Sequence, residues 1–504
     1  MRDCVLETHS VLCTSSLHSQ PYIRINPSAP QAERFVDSRG AGGGGIHSPV
    51  RGRCLGLAYA AAIHDLVKRY RRGRLTVVLL PGGMGSQLDR SLDPHAPGAL
   101  PPAMFETVWA DAGLLFNQDA LTLEIDGQGR DRDRHAIVPN GALDFLIRPS
   151  DGTEEFAADR DWNFTTFGYD WRRGMREAAA SLEGFLLLYK RAVQRRHNQG
   201  SAAQNHPARA QPRRRVAKIF LHRITDVRSW IDKAITVGAP FYGTWSHQQR
   251  YYVGEQLLNV LHGPPEVARI IGTMPGPYAL MFLSQGVFAR DRQRLGLAGY
   301  PIVEAETGAD ADPYAPASRT RYPRWVSARH LADAAGLLET IAAPLPAPVC
   351  ARFYKVRSRL DGSTPTALSW RRIGRDFDPA NDPSPIEPTS TEGGGDGTVP
   401  AWAAWHAHTP DANRIELAVA RDHVNLAEHR EVLAIVQGLV EEDRVLASAE
   451  RPRADALYGT APAPRSSAQV EAFVRDVRAS RATRDDPRAS DAPIWRGIYR
   501  ELKR

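Results

Sequence analysis

Cysteine is scarce. The chain holds four, Cys4, Cys13, Cys54 and Cys350, and they are widely scattered. That pattern makes neither a metal site nor a disulfide framework. Long apolar runs are missing too. The most apolar window, Leu55 to Val67, is interrupted by His64 and Asp65. It falls short of the ~20 residues that a membrane-crossing helix needs. The opening residues, MRDCVLETHSVLC, hold no basic stretch followed by an apolar one, so no secretory signal is read and the expected location is cytoplasmic. None of the nucleic-acid module signatures is present. The net charge of +7 is modest for 504 residues. It favours peripheral contact with an anionic membrane surface without calling for nucleic acid.

What the chain does have is a soluble globular composition, 42% hydrophobic and 24% charged, on a length sufficient for more than one domain. Its centre of organisation is LTVVLLPGGMGSQL, Leu75 to Leu88. The run Thr76 to Leu80 predicts a strand buried on both faces. Pro81 ends it, and Gly82, Gly83 and Gly85 let the backbone turn tightly above the strand end. In an α/β enzyme such a turn lies where the chemistry is kept. It is equally a plain strand-to-loop turn.

Residues 1–53, rich in Ser, Pro, Gly and Arg, are expected to be disordered. Helical spacing predicts helices over Leu55 to Tyr70, Met175 to His197, Tyr251 to Leu261 and Glu428 to Val440. Short apolar runs predict strands at Val216–Leu221, Lys233–Val237, Arg352–Val356 and Arg414–Val419. Strands alternating with helices argue for α/β architecture with a mainly parallel sheet. The resulting division is a core over 54–244, a cap or lid inserted at 245–349, a second part of the core over 350–442, and an Ala/Arg-rich tail over 443–504. NFTTFGYDWRR, Asn163 to Arg173, reads as an aromatic corner in which Asp170 pairs with Arg172 and Arg173.

Two polar residues carry a chemical pattern. Asp396 stands on a glycine turn after the Arg352–Val356 strand, and His423 follows the Arg414–Val419 strand. An acid and then a histidine, each after a successive late strand, is the chain order of an α/β-hydrolase triad. The carboxylate holds the imidazole tautomer, and the imidazole takes a proton from the nucleophile. Each residue alone reads as a turn-former or a surface histidine; the pair in this order points to catalysis.

PGGMGSQL (Pro81–Leu88), YDWRR (Tyr169–Arg173), ITVGAPFYGT (Ile235–Thr244), GDGTVP (Gly395–Pro400) and DHVNLAEHREVL (Asp422–Leu433) together resemble the lecithin:cholesterol acyltransferase family. That family includes lysosomal phospholipase A2 and the phospholipid:diacylglycerol acyltransferases. The resemblance implies an α/β-hydrolase fold with a cap, and acyl transfer from a lipid ester with no cofactor or metal. It implies Asp396 as triad acid, His423 as triad base, and a backbone N–H of the Gly83–Met84 turn in the oxyanion hole.

One part of the family pattern is missing. The nucleophile belongs in a Gly-His-Ser-Met-Gly-Gly-like elbow between the strands at Val216–Leu221 and Lys233–Val237. Here the join is HRITDVRSWID, His222 to Asp232, with no G-x-S-x-G. Its eleven residues cannot hold both an elbow and a crossover helix, which alone takes about a dozen or more. Ser229 is the one serine in the join and lacks flanking glycines; Ser86 lies on the oxyanion side. The expectation is an acyltransferase or phospholipase scaffold that is inactive as written. The alternatives are a non-catalytic lipid-binding relative and a general carboxylester hydrolase.

Overall fold

In the computed structural model, β-branched and aliphatic runs make the strands that their alternation calls for. The structure describes residues 5–6, 22–25, 63, 67–68, 70–71, 74–83, 85–91, 105–109, 123–127, 129–132, 135–142, 151–198, 221, 231–254, 264–360, 362, 364–374, 376–417, 423 and 426–452. In chain order the strands are β1 (Val5–Leu6), β2 (Tyr22–Ile25), β3 (Thr76–Leu79), β4 (Ser86–Ser91), β5 (Phe105–Trp109), β6 (Ile137–Ala142) and β7 (Asn163–Thr166). They continue with β8 (Ile231–Val237), β9 (Ile302–Glu304), β10 (Phe353–Arg357), β11 (Ala367–Trp370), β12 (Ile386–Ser390) and β13 (Arg414–Glu416).

The main sheet runs β13-β10-β8-β2-β3-β7, with β1 paired to β2. β13, β10 and β8 are mutually parallel, and so are β3 and β7. The chain is mixed α/β. Both faces of the sheet are covered, and β3 shows why: Val78 and Leu80 enter one core while Val77 and Leu79 enter the other. Successive side chains of a strand point to opposite faces, so an unbroken apolar run fits a strand covered on both sides. Helix Met175–Asn198 closes one face with Ala179, Leu182, Phe185, Leu186 and Tyr189, all buried. Helix Arg430–Glu441 closes the other with Val432, Leu433, Val436 and Leu439. Both stripes follow the three-to-four residue spacing of an amphipathic helix.

The centre of the sheet departs from expectation. A parallel strand at Val216–Leu221 was called for beside β8. Residues 216–220 and 222–230 lie outside the described residues, and Leu221 has helical backbone. The place between β3 and β8 is filled by β2, which runs antiparallel to both. Tyr22 pairs with Ile235 and Ile25 with Ile231, while Arg24 pairs with Val77. A join of eleven residues is too short for a parallel crossover. Two buried strand edges would then be left with unpaired N–H and C=O groups, which must find a partner. Two pieces of the stretch expected to be disordered, β1 and β2, are therefore strands.

Two smaller sheets flank this one. β4 continues from the glycine turn after β3 and pairs antiparallel with β5 and β6. β9 pairs with β11, and β11 with β12. Between β8 and β9 lie helices Trp245–Val253, Pro264–Thr273 and Gln285–Leu295. The helix read at Tyr251 to Leu261 begins earlier and stops at Gly254, whose φ of +71° closes it; residues 255–263 are outside the described set. Tyr251, Tyr252, Met274, Tyr278, Leu280, Met281 and Phe282 are buried in the same core as the first sheet face.

Among the described residues no helix is long and apolar enough to cross a membrane, and no cluster of three metal-ligating side chains is found.

Candidate active site

Three residues meet at one edge of the sheet. Gly238 follows β8, Asp396 lies in the turn after β12, which a bridge between Gly395 and Leu360 holds against the segment leaving β10, and His423 follows β13. The turn around Asp396 is built by its glycines. A Cβ on Gly395 would stand 2.2 Å from the Val399 carbonyl and 2.6 Å from Thr364 Oγ1, so only glycine fits. Thr364 Oγ1 accepts the Gly397 N–H at 2.7 Å. From the other side Thr244 Oγ1 donates to the Thr398 carbonyl at 2.6 Å.

That scaffold fixes the carboxylate. Asp396 Oδ1 accepts the N–H groups of Thr398 and Val399 at 3.1 and 2.7 Å. Asp396 Oδ2 faces His423 Nδ1 at 2.5 Å. The His423 N–H donates to the Asp396 carbonyl at 2.6 Å, so backbone and side chain are locked together. The two side chains are 2% and 1% exposed, which leaves little room for water to compete. With Nδ1–H given to the carboxylate, the ring is held as the tautomer whose Nε2 takes protons, and the carboxylate stabilises the imidazolium that results.

Gly238 has a role that spacing alone did not reveal. Its φ is +64°, and a Cβ there would lie 3.0 Å from Asp396 Oδ2 and 3.2 Å from His423 Nδ1. A glycine directly after a buried strand was the available signal. We expect Gly238→Ala to cost about 1–2 kcal/mol from the left-handed backbone alone. It should also force the acid and the imidazole apart. The His423 Nδ1 proton resonance is the readout; an unchanged resonance at unchanged stability would refute the crowding.

The other sequence candidates fare differently. Gly83 is buried in the turn after β3, where the Gly85 N–H donates to the Gly82 carbonyl at 2.7 Å. Met84 and Ser229 lie outside the described residues. β3 stands two places from β8 in the sheet, a span of about 10 Å at ordinary strand spacing. Ser86 is fully buried, and its Oγ accepts the Tyr169 N–H at 2.9 Å, a structural task.

The aromatic corner is an ion-pair knot. Arg172 Nη2 lies 2.8 Å from Asp170 Oδ2 and 2.9 Å from Asp131 Oδ1, and Arg173 Nη2 lies 2.8 Å from the same Asp131 oxygen. Burial works against the Arg172 charge, but Asp170 and Asp131 outweigh it and raise its pKa. Asp131 was missed because some forty residues separate it from Arg172 and nothing local marks it.

The corner connects to the acid's turn through the segment after helix Pro264–Thr273. The Gly276 N–H donates to the Arg172 carbonyl at 2.9 Å. Further along, the Thr244 N–H donates to the Leu280 carbonyl at 2.9 Å, and Phe282 packs on Trp402 with ring centroids 5.3 Å apart. The apolar segment 274–282 thus leans on the loop that follows Asp396.

No family model matches this chain, and no curated protein matches it. Among solved structures, a Tle4–Tli4 complex is similar at 13% identity and a TM-score of 0.40, over 69% of this chain and 92% of that one. A likeness at that score does not establish a shared fold.

Proposed function

We propose that this chain is an α/β-hydrolase of the lecithin:cholesterol acyltransferase type, a scaffold for acyl transfer from lipid esters that lacks its nucleophile as written. The observation that carries the reading is the buried Asp396–His423 pair, which sits beside Gly238 at the carboxyl end of β8. The pair is what an acyl-enzyme mechanism requires of its acid and base.

The lack of a nucleophile has support in the direction of β2. A serine elbow needs a strand that ends at the site and turns there into a helix. β2 runs the other way and brings its first residue, Tyr22, to that side of the sheet. A non-catalytic lipid-binding role therefore ranks above a general carboxylester hydrolase.

A fluorophosphonate probe separates these readings, because it labels only an activated serine. No labelling of the purified chain is expected. Labelling that His423→Ala abolishes would mean that a serine is activated after all, with Ser229 the first to map, and would end the claim of a missing nucleophile.

A further inference from the structure

Away from Asp396 and His423 the described residues line a half-open cleft of about 730 Å³. Its aromatic walls are Tyr322, Trp325 and Phe377, and its polar side chains are Arg319, Thr320, Arg324 and Asp376. The volume is that of a small-molecule site. The walls are held from behind. Tyr252 stacks on Tyr322 with centroids 6.2 Å apart and meets Phe377 edge-on at 5.8 Å. The Trp325 indole N–H donates to the Tyr251 carbonyl at 2.9 Å.

The two arginines of this short segment are treated differently. Arg321, in the 3-10 turn Pro316–Arg321, is held by Glu304 at 2.6 Å and Glu306 at 3.1 Å. Arg319, on the same turn, has a buried Nη1 with no hydrogen-bond partner among the described residues. Its charge lies near the Tyr252 and Tyr278 hydroxyls. Burial raises the pKa of both phenols more than Arg319 lowers it, so both stay neutral and offer no counter-charge. Arg324 and Asp376 are exposed at the cleft, and no ion pair joins Asp376 to either arginine among the described residues. A buried guanidinium nitrogen without an acceptor is expensive, and of those in the described residues Arg319 Nη1 is the one on a residue lining this cleft, where an outside anion can reach it.

We propose that this cleft binds a phosphate group carried on an apolar body, with Arg319 as the inner donor, Arg324 as the outer one and the three aromatic rings around the body. The planar guanidinium matches phosphate in geometry as well as charge. The site is independent of the acyl-transfer reading. It lies beside Tyr252, near the end of helix Trp245–Val253, whereas Thr244, just before that helix, touches the Asp396 loop.

The test is titration calorimetry of the full chain with inorganic phosphate and with phenyl phosphate, and co-sedimentation with vesicles of phosphatidylglycerol or of phosphatidylcholine. Phenyl phosphate is expected to bind better than inorganic phosphate, because it also fills the aromatic walls. Arg319→Gln should weaken binding by about tenfold or more, and Arg324→Gln by less. Arg319-dependent binding of phenyl phosphate identifies a soluble phosphate ester as the source. Arg319-dependent binding confined to phosphatidylglycerol vesicles identifies a lipid headgroup. Ligand-free Arg319→Gln should melt no lower than the parent chain, since the guanidinium it removes makes no ion pair among the described residues. Binding that is absent from all arms or unchanged in Arg319→Gln overturns the proposal, and so does a lower melting temperature, which would show that the guanidinium is already satisfied within the fold.

Discussion

The purified chain is expected to turn over phospholipid and soluble esters no faster than its His423→Ala variant. On the proposed reading Asp396 and His423 would supply an acid and a base, but neither attacks a carbonyl. In a well-studied triad the loss of the serine costs about 10⁶ in turnover, and the residual rate there depends on an intact oxyanion hole. Half of that hole is normally the N–H after the serine, so it is lost with the elbow. The residue after His222 is Arg223, whose guanidinium stays protonated and is no nucleophile. Building Gly-His-Ser-Met-Gly-Gly and a crossover helix between Leu221 and Trp230 should bring back turnover that His423→Ala removes. In that restored chain a parallel strand would have to displace β2 from between β3 and β8. Removing residues 1–25 should then leave the restored chain active. Robust turnover by the chain as written, abolished by His423→Ala, would show that another group serves as nucleophile.

Much of this fold was legible because burial on both faces leaves a plain mark. Thr76 to Leu80 and Ala234 to Val237 are unbroken apolar or β-branched runs, and each falls on a strand of the sheet. The helices over Met175–Asn198 and Arg430–Glu441 announced themselves by the spacing of their buried stripes. The Asp396–His423 pair was legible from chain order, an acid and then a histidine late in the chain, although Asp396 comes directly after β12 of the small sheet and not after β10 as expected. What stayed hidden depends on long-range pairing. β2 is four residues in a Ser-, Pro- and Gly-rich stretch, and only the gap between β3 and β8 gives it a place. Asp131 and Thr364 matter through partners on other elements, which no local pattern encodes. Arg319 is one arginine among many in sequence, and its unpaired state is a property of the packed chain.

Replacing Arg172 is expected to be the most destabilising single change in the described core. Its side chain is fully buried and touches Asp170 and Asp131, both themselves buried. The guanidinium also donates to the Leu123 carbonyl at 3.2 Å. Arg172→Met keeps most of the volume and removes the charge, so its effect reports on electrostatics and hydrogen bonding more than on a cavity. Breaking a buried pair from one side costs about 3–5 kcal/mol, because the partner's charge is left uncompensated. Here two carboxylates would share the single remaining guanidinium of Arg173, which contacts both. Combining Arg172→Met with Asp170→Asn should recover part of the loss, since the pair is removed together. The damage should also travel. The Arg172 carbonyl accepts the Gly276 N–H, and a Cβ on Gly276 would stand 2.2 Å from the Trp171 carbonyl, so the corner and segment 274–282 are closely fitted. Hydrogen exchange in Arg172→Met should therefore speed up over 274–282 as well as over 169–173. Denaturant unfolding gives the energies. A loss under about 1 kcal/mol for Arg172→Met, the scale of an exposed ion pair, would show that the knot is solvated and does not hold the corner.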